Sequence, residues 1–97
     1  MNKNAALQIT DIQIWPLHKA ESRIKAMVSI TLNDSLKLSS LKIVEGRNGL
    51  FLAYPGEKKT GTDHYFNFIF PTRREVGDEI QREVLERYHQ AQVSQAA

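Results

Sequence analysis

The sequence predicts an α+β domain: a twisted antiparallel β-sheet of about five strands with one C-terminal α-helix packed on it. Three observations carry that expectation. Ile24, Ala26, Val28, Ile30 and Leu32 alternate with Lys25, Met27, Ser29 and Thr31, the period of a strand buried on one face. The stretch from Glu45 to Pro55 sets an Asn48-Gly49 turn between Leu41-Lys42-Ile43-Val44 and Leu50-Phe51-Leu52-Ala53-Tyr54. Pro55 then stops the second run, since proline cannot donate to a sheet ladder. Finally, Val76, Ile80, Val84 and Tyr88 recur every fourth residue with Leu85 beside them, the apolar stripe of a helix.

In chain order, residues 1–6 show no periodicity and read as a mobile leader to a single domain over residues 7–90. Leu7 to Leu17 is a strand whose apolar phase changes between Ile9 and Ile12, which calls for a bulge, and Pro16 confines it to an edge. His18 to Ser22 is a polar connection to the alternating strand, and Asn33-Asp34 is the turn out of it. The return run from Ser35 to Val44 slips by one residue between Leu36/Leu38 and Leu41/Ile43, so a second bulge is expected near Ser39-Ser40. Gly56 to His64 holds no core-forming residue and reads as an exposed, flexible loop. Tyr65 to Phe70 is so aromatic that it reads as a strand covering apolar surface on both faces. Thr72 followed by Glu75 is a capping box, and Gly77 inside the helix costs about 1 kcal/mol against alanine. Residues 91–97 read as a frayed tail.

Length and composition narrow the classes. A chain of 97 residues supports one modest core, and an apolar fraction of 41% separates it from disordered sequences. Without cysteine there is no disulfide framework, thiolate metal site or thiol nucleophile, which suits a reducing cytoplasm. No apolar run is long enough for a signal peptide or a membrane span, so a cytoplasmic protein is expected. The net charge of +2 points only weakly to polyanions, and between Arg73 and Arg87 four arginines face five acids. Any basic surface must therefore be assembled from loops and scattered strand positions.

His18, His64 and His89 are far apart and match no zinc spacing, and Gly46 and Gly49 lack the residues of a phosphate loop. No metal, cofactor or catalytic group is expected. The candidates for binding are cationic: Arg47 at the hairpin tip, Lys58 and Lys59 in the long loop, and Arg73 and Arg74 at the helix start. Such positions suit phosphate contacts, although composition alone reads them as ordinary solvated side chains. Trp15 and Tyr54 could stack on bases, but in so small a chain packing or a dimer contact is their commoner use.

Several blocks of the chain, in order, resemble the stage V sporulation protein G family. Ile9-Thr10-Asp11-Ile12 is similar to its opening Val-Thr-Asp-Val, and Arg23 to Leu32 to its second strand, Arg-Met-Lys-Ala-x-x-Ser-Ile-Thr-Leu. Glu45-Gly46-x-x-Gly49-Leu50-Phe51-x-Ala53-x-Pro55 resembles its most specific block, and Glu79-Ile80-Gln81 with Tyr88 its helix. The chain departs where the family has methionine at Tyr54, Pro-Ser-Lys-Arg-Thr followed by Asp-Gly-Glu-Phe where this chain has Pro55 to Gly61 with one residue inserted before the next strand, and Asp-Ile-x-His-Pro-Ile at Asn67 to Thr72. The basic pair becomes Lys58-Lys59, without the guanidinium fork that reads guanine bidentately.

The resemblance implies a dimeric β-sheet core with a C-terminal helical part, binding DNA and in some members RNA, and acting on septation, sporulation and gene expression. From it follows the expectation of a non-catalytic, homodimeric regulator, its two copies joined by strand pairing or sheet contact. Nucleic acid would contact Arg47, Lys58, Lys59, Arg73 and Arg74. The competing expectation is a protein-interaction module that shows Trp15, Tyr54 and the aromatic strand to a division or regulatory partner.

Overall fold

The computed structural model describes the backbone of residues 7–19 and 21–96 and the side chains of residues 7–19 and 21–91. The expected leader, residues 1–6, lies outside them, as do the side chains of most of the expected tail. Four strands, β1 (Ile9–Pro16), β2 (Ile24–Leu32), β3 (Leu36–Gly46) and β4 (Gly49–Ala53), form an antiparallel meander in the order β1-β2-β3-β4. Two short strands, β5 (Gly56–Lys58) and β6 (Tyr65–Asn67), make a separate hairpin, and helix α1 (Arg74–Ala96) follows. The single sheet of about five strands is thus corrected to four strands plus two. The loop expected from Gly56 supplies a strand of its own, and Tyr65 to Phe70 is strand only as far as Asn67.

The alternation in β2 does what its period requires. Ala26, Val28, Ile30 and Leu32 are buried against Ile12 of β1, Leu41 and Ile43 of β3 and Leu52 of β4, and Ile80, Val84 and Tyr88 of α1 close this core. Two side chains tie the helix to the outer strands. The Leu52 amide donates to Gln81 Oε1 (3.1 Å), and Arg87 Nη1 donates to the Ile12 carbonyl (3.3 Å). Both satisfy backbone groups on edge strands, which otherwise have only water to bond.

Both expected bulges are present. Register shifts between Ile9 and Asp11, leaving Thr10 extra, and its hydroxyl donates to the Thr31 carbonyl while accepting from the Asp34 amide. A second shift opposes Val28/Ile30 to Leu41/Leu38, with Ser40 at a φ of 68°. The Asn33-Asp34 turn lies where expected, while the type I′ geometry expected at Asn48-Gly49 is found at Asn33-Asp34. Asn33 and Asp34 both lie at positive φ (51° and 52°), and Ser35 N–H bonds the Leu32 carbonyl, the arrangement of a type I′ turn. The β3–β4 connection is Arg47-Asn48 instead of Asn48-Gly49: Gly46 pairs with Gly49, and only Gly49, at φ 115°, leaves the ordinary region. Arg73, not Thr72, caps the helix, since its carbonyl accepts the Gly77 amide (3.2 Å).

Only one face of the sheet is covered by the helix. On the other, Trp15, Met27, Lys42 and Ala53 stand in register across all four strands, and Ile24, Val44 and Phe51 form the next row. If the covered face holds the fold, Leu41→Ala, at a fully buried position, lowers stability by about 3 kcal/mol in urea unfolding. Leu36→Ala, at a position 57% exposed, changes it by no more than about 0.5 kcal/mol.

Candidate nucleic-acid interface

The β5–β6 hairpin is more ordered than its composition suggests. Gly56 pairs with Asn67 and Lys58 with Tyr65, and the Phe68 amide reaches back to the Pro55 carbonyl (2.7 Å). Across the turn, Lys59 N–H donates to the His64 carbonyl (2.8 Å). The Thr62 amide and hydroxyl both donate to the Lys59 carbonyl (3.1 and 3.0 Å), while Gly61 supplies a φ of 77°. A glycine is needed at position 56 for a different reason. A Cβ there would collide with the Phe66 carbonyl and come within 2.7 Å of Asn67 Cα.

The hairpin turn brings Lys58 and Lys59 together around a shallow hollow of about 400 Å³ shared with Thr60, Thr62 and Asp63. Lys58 Nζ lies 3.6 Å from Asp63 Oδ1, a solvent-exposed pair of little energetic weight. Arg73 sits beside Glu75 (3.3 Å), whose carboxyl is held below the usual carboxylate range by its own backbone amide and by the Arg73 guanidinium. An anion approaching the helix start competes with that carboxylate. Arg47, Lys59 and Arg74 are exposed and have no acidic partner among the described residues. The cations thus form three groups, on the β3–β4 turn, the β5–β6 turn and the start of α1, and no described hydrogen bond or ion pair joins one group to another.

The two aromatic candidates part company. Trp15 is 52% exposed on the open sheet face, free to be covered or stacked upon. Tyr54 packs against the core, its hydroxyl buried with no hydrogen-bond partner, and burial pushes its phenol above the ordinary value. Lys37 and Lys42, absent from the sequence candidates, share the open face with Trp15. Their signal was the cross-strand register, which no run of residues displays. Among the described residues no group of three or more His, Asp or Glu could hold a metal ion, and no helix is long and apolar enough to cross a membrane.

The SpoVG family model matches residues 7–90. A protein of Clostridium novyi is 37% identical over 82 residues, covering 84% of this chain and 80% of its own. One from Caldicellulosiruptor saccharolyticus is 37% identical over 84% of this chain and 91% of its own, and one from Lachnoclostridium phytofermentans 38% identical over 88% and 89%. This chain belongs to the SpoVG family. Each of the three relatives carries the name "Putative septation protein SpoVG". The SpoVG match spans all four strands of the meander, the hairpin and most of the helix, so the cationic positions lie within the shared unit.

Two substitutions test this geometry. Tyr54→Phe removes an unsatisfied buried hydroxyl and raises stability by about 1 kcal/mol in chemical unfolding. Because the folded phenol titrates above its unfolded value of 10.0, stability does not depend on its titration below pH 10 and falls as pH rises from there through the folded value. The Tyr54→Phe variant therefore lacks that alkaline decline. Gly56→Ala opens the β5–β6 hairpin while the four-stranded sheet survives, seen as faster hydrogen exchange at the Phe68 amide with exchange in β2 unchanged.

Proposed function

We propose that this protein is a non-catalytic, cytoplasmic regulator that binds nucleic acid, DNA in the first place, as a homodimer, and acts in control of gene expression or septation. The observation that supports it best is the placement of cations. Arg47, Lys58, Lys59, Arg73 and Arg74 all sit on exposed turns or at the helix start, and Arg47, Lys59 and Arg74 carry no acidic partner among the described residues. Unpaired cations on protruding turns meet phosphates at little desolvation cost, and helix-start amides add donors. Membership of the SpoVG family and the septation names of its relatives support the regulatory part of the reading.

The dimer rests on apolar surface that one chain leaves in water. The open sheet face shows Trp15 and Phe51, and the segment from Tyr65 to Phe70 exposes Tyr65, Phe66, Phe68, Ile69 and Phe70. Patches of this kind mark association surfaces in soluble proteins. A second copy covering one of them doubles the cations available to a polyanion, which answers the small net charge of a single chain. The same aromatics favour the second reading, a module that captures a protein partner.

Fluorescence anisotropy against duplex DNA and single-stranded RNA at two salt concentrations tells the two apart. Binding that weakens steeply with salt is expected, and Lys58→Glu with Lys59→Glu lowers affinity about tenfold or more and reduces the salt slope by about 2. Salt-insensitive capture of a protein, with no nucleic-acid binding by the folded dimer, establishes the second reading instead.

A further inference from the structure

On the far side of the molecule from the sheet's open face, a groove of about 460 Å³ runs between the start of β1 and the first half of α1. Its floor is apolar: Leu7 and Ile9, the end of β2 at Leu32, and Val76 and Ile80 of the helix. Its helical wall is a file of carboxylates, Glu75, Glu79 and Glu83, and Gln8 is the one other polar residue lining it among the described residues. No described lysine or arginine lines it.

The wall is open to exchange. Glu75 is paired with Arg73 at 3.3 Å and Glu79 with Arg82 at 3.8 Å, and all four side chains are about two-thirds exposed, so these pairs are weak. Glu83 is half-buried and has no ion-pair partner among the described residues. Four residues of α-helix advance about 6 Å, so the three carboxylates are too widely spaced for one metal ion. The interval instead matches the repeat of an extended chain, in which every second residue recurs at about 6.7 Å. β1, which borders the groove, is an outer strand of the sheet, the position from which strand addition proceeds.

We propose that this groove docks an extended segment of a partner protein in which lysines or arginines alternate with aliphatic residues. The cations lie along Glu75, Glu79 and Glu83 and the aliphatic side chains on the floor of Leu7, Ile9, Val76 and Ile80. Glu75 shares an ion pair with Arg73, but Glu79 and Glu83 have none with any cation assigned to nucleic acid, so variants at those two positions test this site separately. In a chain of net charge +2, a carboxylate-lined groove also disfavours a polyanion along its wall.

The test is anisotropy of a fluorescein-labelled peptide of alternating lysine and valine, against the full chain. Saturable binding is expected, absent for the matching glutamate-valine peptide. Glu79→Lys with Glu83→Lys weakens it about tenfold, and Glu79→Gln with Glu83→Gln weakens it less. Lys58→Glu with Lys59→Glu leaves it unchanged, whatever that variant does to nucleic-acid binding. No saturable binding, equal binding of the two peptides, or affinity indifferent to the glutamate variants overturns the proposal. So does binding that appears only after residues 1–6 are removed, which makes the chain's own leader the occupant, or only on dilution to monomer, which makes a second copy the occupant.

Discussion

The structure depends on one helix being asked to cover one sheet. β2 lies inside the meander and presents Ala26, Val28, Ile30 and Leu32 to a single side, where Ile80, Val84 and Tyr88 meet them. Nearly everything buried among the described residues belongs to that contact or its immediate flanks. With no second helix and no second layer among them, the opposite face carries Trp15, Met27, Val44 and Phe51 into solvent or toward whatever covers it. The helix is also narrower than the sheet. It ties to β4 through Gln81 and to β1 through Arg87, and beside its first turns the space next to β1 stays open as the acidic groove.

Polar satisfaction at the sheet's margins follows from the same shortage of cover. Asn33 bonds Gln8 in both directions, its amide to the Gln8 carbonyl and its Oδ1 to the Gln8 amide, while Thr10 bridges Thr31 and Asp34. These contacts hold the start of an outer strand that has no neighbouring strand on its free side among the described residues. Among the described residues Tyr54 is the exception, a buried hydroxyl with nothing to bond. An apolar side chain of similar size would fill that space without a donor to satisfy, so the hydroxyl is a local cost.

The candidate cations were legible as residues but not as a surface. Lys58 and Lys59 are adjacent in the chain and remain so in space, on a turn closed by Lys59, Thr62 and His64. Arg73 and Arg74 follow the same logic at the helix start, although the cap moved from Thr72 to Arg73. What adjacency could not tell is whether the hairpin, the β3–β4 turn and the helix start face one ligand together. Nor could it find Glu83 in a groove opposite Leu7, because these meet only through the packing of α1 on β1.

By itself the sequence determined the α+β class, the run of antiparallel hairpins, both bulges and the apolar stripe of the helix. These are local matters, in which a period of two or four residues, or its slip by one, dictates which side chains face inward. The Asn33-Asp34 turn was legible as well, but the β3–β4 turn falls on Arg47-Asn48 instead of Asn48-Gly49, because the pairing of Gly46 with Gly49 decides which two residues are left outside the ladder. Only the tertiary structure decided that β5 and β6 leave the sheet, that their aromatics stay exposed, and that Trp15 is open while Tyr54 is enclosed. Aromatic content signals surface to be buried but not by what. That depends on where a single helix can reach, and here it reaches one face.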